Sequence, residues 1–138
     1  MKFTSLCIIS LLIAVSSSAA PRPSITQPTY IFGKASWYGY EWTTGKRGTM
    51  ANGRRFNPRA WTAASYDYPL GTVLQVTNQA NGRNIAVMVT DRGPARHLGR
   101  LLDLSEAAAR ALDYHEAGVT TVAVRVLVLP SSSTKVPN

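Results

Sequence analysis

The chain has 138 residues, 45% of them hydrophobic and 16% charged, with fifteen Lys and Arg against seven Asp and Glu for a net charge of +8. That length holds one domain with an ordinary apolar core, and a single cysteine, Cys7, excludes an internal disulfide or a thiolate metal cluster. The basic excess points to an anionic partner; scattered arginines with no basic run longer than two fit solvated surface and argue against nucleic acid as that partner.

The first residues place Lys2 ahead of an apolar run from Leu6 to Val15, then small residues from Ser16 to Ala20 before Pro21. This is the layout of a secretory signal peptide over 1–20, cut after Ala20. Its apolar core of about ten residues is well short of the ~20 that span a bilayer, so no transmembrane span is expected in the mature chain. Cys7 lies inside that core rather than at its end, which is badly placed for lipidation. Export to a periplasm or to the extracellular cell envelope follows, and loss of Lys2 leaves the mature chain at +7.

Residues 21–32, with Pro21, Pro23 and Pro28, read as a linker. The folded body is expected over 33–129, followed by a flexible tail over 130–138 that starts Pro130-Ser-Ser-Ser. The body opens on Trp37, Tyr38, Tyr40 and Trp42, bracketed by Gly33 and Gly39. An alternating strand puts Trp37 and Tyr38 on opposite faces, so such a run supplies core rings, sugar-stacking rings, or both. Thr49 and Asn52 read as turn formers able to offer hydrogen bonds to sugar hydroxyls.

Two β-branched runs, Thr72 to Thr77 and Ile85 to Val89, flank Asn81-Gly82, a pair that tolerates positive φ, and predict a hairpin. The second run continues into Thr90-Asp91-Arg92-Gly93-Pro94, where Gly93 and Pro94 force a turn. Asp91 then stands at the end of a buried strand, rigidly held yet facing the surface, the placement an acid catalyst or a polysaccharide contact requires. Arg92, its strand neighbour, is expected to face away from it. A helix is predicted over Ser105 to Asp113, with Ser105 as N-cap and Leu104, Ala108, Ala111 and Leu112 buried. Asp103, just ahead, reads as a carboxylate bonded to amides at the helix start. Thr120 to Leu129 alternates along its whole length, with Val122, Val124, Val126 and Val128 on one face. Many short strands, frequent glycines and one short helix describe a mainly β, small closed barrel. His97 and His115, eighteen positions apart without acids at ligand spacing, predict no metal site.

Within this body Ala35-Ser36-Trp37-Tyr38-Gly39, Thr49-Met50-Ala51-Asn52-Gly53, Thr62-Ala63-Ala64, Pro69-Leu70-Gly71-Thr72, Asn81-Gly82-Arg83, Asp91-Arg92-Gly93-Pro94 and Asp103-Leu104-Ser105 occur in order. Together they closely resemble the rare lipoprotein A (RlpA) family. The resemblance covers residues 33–129 and implies a six-stranded double-psi β-barrel with one or two short helices. It also implies endolytic lytic transglycosylase action on peptidoglycan glycan strands, leaving 1,6-anhydro ends, by a monomer that needs no cofactor.

The resemblance carries Asp91 over as acid/base, and Trp37, Tyr38, Asn52, Arg54, Ser65 and Arg92 are the candidate substrate contacts. The chain departs from the family twice: Arg54 stands where active relatives carry Glu, and Ser65 where they carry His. A carboxylate has become a cation, and a titratable imidazole a hydroxyl that does not titrate near neutral pH. Glu41, in the loop after the aromatic run, is the candidate that restores a second carboxylate as a catalytic group. The alternative is a non-catalytic glycan-binding barrel of the cell envelope that keeps the groove and has lost cleavage.

Overall fold

A computed structural model describes residues 27–39 and 48–131. The signal peptide expected over 1–20, Glu41, and the last seven residues of the expected tail lie outside the described residues. Six strands, β1 (Ile31–Tyr38), β2 (Thr62–Ala64), β3 (Val73–Asn78), β4 (Asn84–Asp91), β5 (Leu102–Ser105) and β6 (Val119–Val128), close into a barrel in the order β1-β5-β2-β4-β3-β6. The β1/β5 and β2/β4 pairs are parallel and the others antiparallel. This is a double-psi β-barrel, as expected. Alternation fills it: Ile85, Val87 and Val89 of β4 point inward while Ala86 and Met88 face out. Leu74, Leu102, Leu104, Val122 and Val124 are fully buried with them. Among the described residues no helix is long and apolar enough to cross a membrane.

Three boundaries differ from expectation, each for a local reason. β1 begins at Ile31, inside the segment expected as linker, because Ile31 and Phe32 pair with Val124 and Ala123 of β6. The helix α1 is shorter, Glu106–Ala111; the Ser105 hydroxyl caps it by accepting from Ala108 N, and Asp113 at φ 59° ends it. It buries Ala108 and Ala109 with Leu112, leaving Ala111 only partly covered. The last half of β6 is exposed, with Val126 and Val128 facing solvent. The cause is loss of one neighbour: β1 pairs with β6 only as far as Val124, and beyond that β6 keeps β3 alone.

A second, smaller cluster of Tyr38, Met50, Phe56 and Ala64 lies apart from the main core. Adjacent residues separate the two: Ala63 belongs to the main core and Ala64 to the second, and Trp37 packs on the main core while Tyr38 enters the second. The segment around residues 48–56 folds over that outer face through a Thr49–Arg55 bridge and the tilted Tyr38–Phe56 ring pair, 4.9 Å apart.

Candidate functional site

The sheet register builds the site. Ser36 of β1 is level with Asp103 of β5, Asp103 with Ala64 of β2, and Ala64 with Asp91 of β4. Level residues on paired strands share a face, so Ser36, Asp103 and Ala64 form one row on the face of the second cluster, and Asp91 comes level with Ala64 through a register shift in the β2/β4 pairing. One strand separates the two acids, which at strand spacings of about 4.8 Å puts their Cα atoms roughly 10 Å apart. Between them the row carries only a methyl group, and the facing chain is glycine. Gly93 has φ +149°, in the region where side chains are strained, and a Cβ there would meet the Ala64 Cβ at 3.5 Å.

Above this row lies a cleft of about 590 Å³ whose wall includes Trp37, Tyr38, Ala64, Arg92, Arg100 and Asp103. Asp91, expected to face the surface, is instead 1% exposed and is not among the residues that line the cleft; its neighbours Arg92 and Gly93 are. Its Oδ1 accepts two amide hydrogen bonds, from Ala51 N and Arg92 N, both at 2.9 Å. This clamp fixes the carboxyl plane. Tyr38 is also buried. Burial first, then the charges of Asp91 and Asp103, push its hydroxyl well above the ordinary tyrosine value and keep it neutral.

The other expected contacts divide. Trp37 lines the cleft with one face covered: its ring stacks on His115 at 4.3 Å and its indole N–H donates to the His115 carbonyl at 3.1 Å. Arg92 points away from Asp91, and its guanidinium donates to the carbonyls of Ser65 and Tyr68 at 2.7 Å each. Ser65 itself is fully buried, and its hydroxyl accepts from Asp67 N at 3.1 Å, so here it holds a turn rather than facing a ligand. Asn52 and Arg54 are exposed on a turn outside the cleft wall, where the Asn52 side chain accepts from Arg54 N at 3.0 Å. Among the described residues no group of His, Cys, Asp and Glu could hold a metal ion. Because Arg92 ties β4 to the 65–68 turn through charge-assisted bonds, Arg92→Gln is expected to lower stability by about 1.5–3 kcal/mol, read from the urea midpoint.

Asp103 is placed differently from its sequence reading. It leaves the helix amides to Ser105 and instead accepts from the Ser36 hydroxyl and from Arg100, whose Nε lies 3.0 Å from Oδ1 and Nη2 3.3 Å from Oδ2. Its partners are 3 and 67 positions away in sequence, so only the β1/β5 register reveals the cluster.

The family described as lytic transglycolase matches residues 31–124. A probable endolytic peptidoglycan transglycosylase RlpA of Synechocystis sp. is 47% identical over 95 residues, 69% of this chain and 28% of that protein. Its Aquifex aeolicus counterpart, also named probable, is 46% identical over 100 residues, covering 72% and 42%. The Rickettsia prowazekii endolytic peptidoglycan transglycosylase RlpA is 41% identical over 103 residues, covering 75% and 31%. The chain thus spans less than half the length of each of these relatives. Among solved structures, the Streptomyces papain inhibitor shares the fold at TM-score 0.57 and 23% identity, over 72% of this chain and 96% of that one. The apo expansin of Clavibacter michiganensis superposes at TM-score 0.55 with 26% identity, over 75% and 52%, and a variant of that expansin has been solved in complex with cellohexaose.

Proposed function

We propose that this chain, which belongs to the lytic transglycolase family, cuts peptidoglycan glycan strands internally and leaves 1,6-anhydro ends. Asp91 is the acid/base. Its carboxyl protonates the leaving glycosidic oxygen as oxocarbenium character develops at the anomeric carbon, then recovers a proton from the 6-hydroxyl that closes the anhydro ring. The sugar supplies its own nucleophile, so no second carboxylate has to form a covalent intermediate. Trp37, fixed against His115, offers its remaining surface to a sugar ring. Tyr38 supports the floor, and Arg92 holds the adjacent turn. Glu41 remains the second candidate carboxylate that the sequence offers. The protein acts as a monomer in the cell envelope, reached by the leader over residues 1–20.

The observation that supports this reading best is the Asp91 side chain, clamped by two amides and level with Ala64, which lines a saccharide-sized cleft. Its burial, together with Arg54 in place of the family's Glu, favours a second reading: a barrel that grips glycan without cutting it. Incubation of the purified protein with glycan strands stripped of stem peptides separates the two. Release of anhydro-ended fragments, resolved by chromatography and mass, is expected. Pelleting with the glycan and no such product decides for the binding module.

A further inference from the structure

Resting on that reading, the geometry points to Asp103 as a second catalytic carboxylate: a fixed anion facing the anomeric carbon across the Ala64 gap, held by Arg100 and Ser36 as positioning residues. Asp103 forms part of the cleft wall itself, while Asp91 is 1% exposed and reaches the cleft only through its neighbours Arg92 and Gly93. It is level with Asp91 across β2, and nothing larger than a methyl group stands between them in the row.

A carboxylate needed only to tie β5 to β1 could be buried with its partners; this one keeps 14% of its side chain exposed toward the cleft, and Arg100 keeps 24%. The Ser36 hydroxyl and the fork of Arg100 fix its orientation, as preorganised electrostatic stabilisation requires. Ser36 is braced in turn, since its carbonyl accepts from the Tyr114 hydroxyl at 2.8 Å. In the reaction the C1–O4 bond breaks and the C1–O6 bond forms. Asp91 gives its proton to O4 and takes the proton released by the 6-hydroxyl. Asp103 exchanges no proton, and its charge stabilises the cationic sugar between the two events. The cleft thereby holds a carboxylate of its own although Arg54 stands where the family carries Glu.

Asp103→Asn keeps the shape and an acceptor oxygen but removes the charge. Its kcat on stripped glycan strands is expected to fall ~10²-fold, with KM and glycan pelleting little changed. Arg100→Gln leaves the anion without its counter-ion among the groups that face it, which are Arg100, Tyr38, Tyr114 and Asp91. Without that fork the carboxylate is no longer held in orientation, so kcat on stripped strands is expected to fall ~10-fold with KM little changed, and Arg100→Lys, which keeps the positive charge, to recover part of the loss. A merely structural clip predicts loss of thermal midpoint with kcat unmoved in the folded fraction. A kcat for Asp103→Asn within about threefold of wild type, in a protein that Asp91→Asn inactivates, overturns the assignment and leaves the parent reading standing. A loss found in Glu41→Gln and not in Asp103→Asn overturns it equally. Should Asp103→Asn fail to fold, Arg100→Gln decides, and a kcat within about threefold of wild type overturns the proposal. A wild-type protein that releases no anhydro product overturns the parent reading and this assignment with it.

Discussion

Asp91→Asn is expected to lower release of anhydro-ended fragments by ~10³-fold or more, because a positioned general acid contributes 10²–10⁴-fold and the same group here serves both proton transfers. The substitution is nearly isosteric. An amide oxygen can still accept from Ala51 N and Arg92 N, bonds that help hold the carboxyl in place. The barrel should therefore persist, with a thermal midpoint and glycan pelleting close to wild type, while product disappears from the chromatogram. That dissociation separates a lost proton from a lost fold. Residual turnover above about a tenth of wild type would show that Asp91 is not the acid, since removing one costs at least ~10²-fold. Attention would then pass to the cleft-lining Asp103.

Period and turn chemistry made much of the barrel legible. The β3–β4 hairpin follows from β-branched alternation on either side of Asn81-Gly82, with Gly82 at φ +76° as the turn requires. The Ser105 cap is written in the residue itself. Less legible was whatever depends on a distant strand. Val126 and Val128 continue the pattern of Val122 and Val124, yet only the inner pair is covered, because coverage depends on where β1 starts. Asp103 has the same limitation: a carboxylate one turn ahead of a helix reads as a local cap until a serine 67 positions earlier is brought level with it. Ser65 and Arg92 carried motif positions that resemble ligand contacts, and their bonds run to each other and to Asp67 and Tyr68 instead.

Leu104→Ala tests whether the register that brings the two acids level is held by packing. Leu104 is fully buried on β5, level with Trp37 on one side and Ala63 on the other, and its immediate neighbour is Asp103. Truncating a buried leucine removes its transfer free energy and leaves a cavity, a cost of 2–5 kcal/mol depending on how far the surroundings relax. For a folded body of this size each kcal/mol shifts the midpoint by about 4–8 °C, so a drop of roughly 10–30 °C in thermal unfolding is expected. Leu129→Ala is the matched control: it lies just past the end of β6, is 63% exposed, and should stay within about 0.5 kcal/mol of wild type. The sequence pattern assigns Leu104 to the buried stripe of the helix and Leu129 to the last strand; the structure instead puts Leu104 on β5, inside the closed barrel. Equal midpoints for the two variants would mean that β5 is not clamped between β1 and β2. The Asp103–Ala64–Asp91 row would then lose the rigidity on which the catalytic roles of both acids depend.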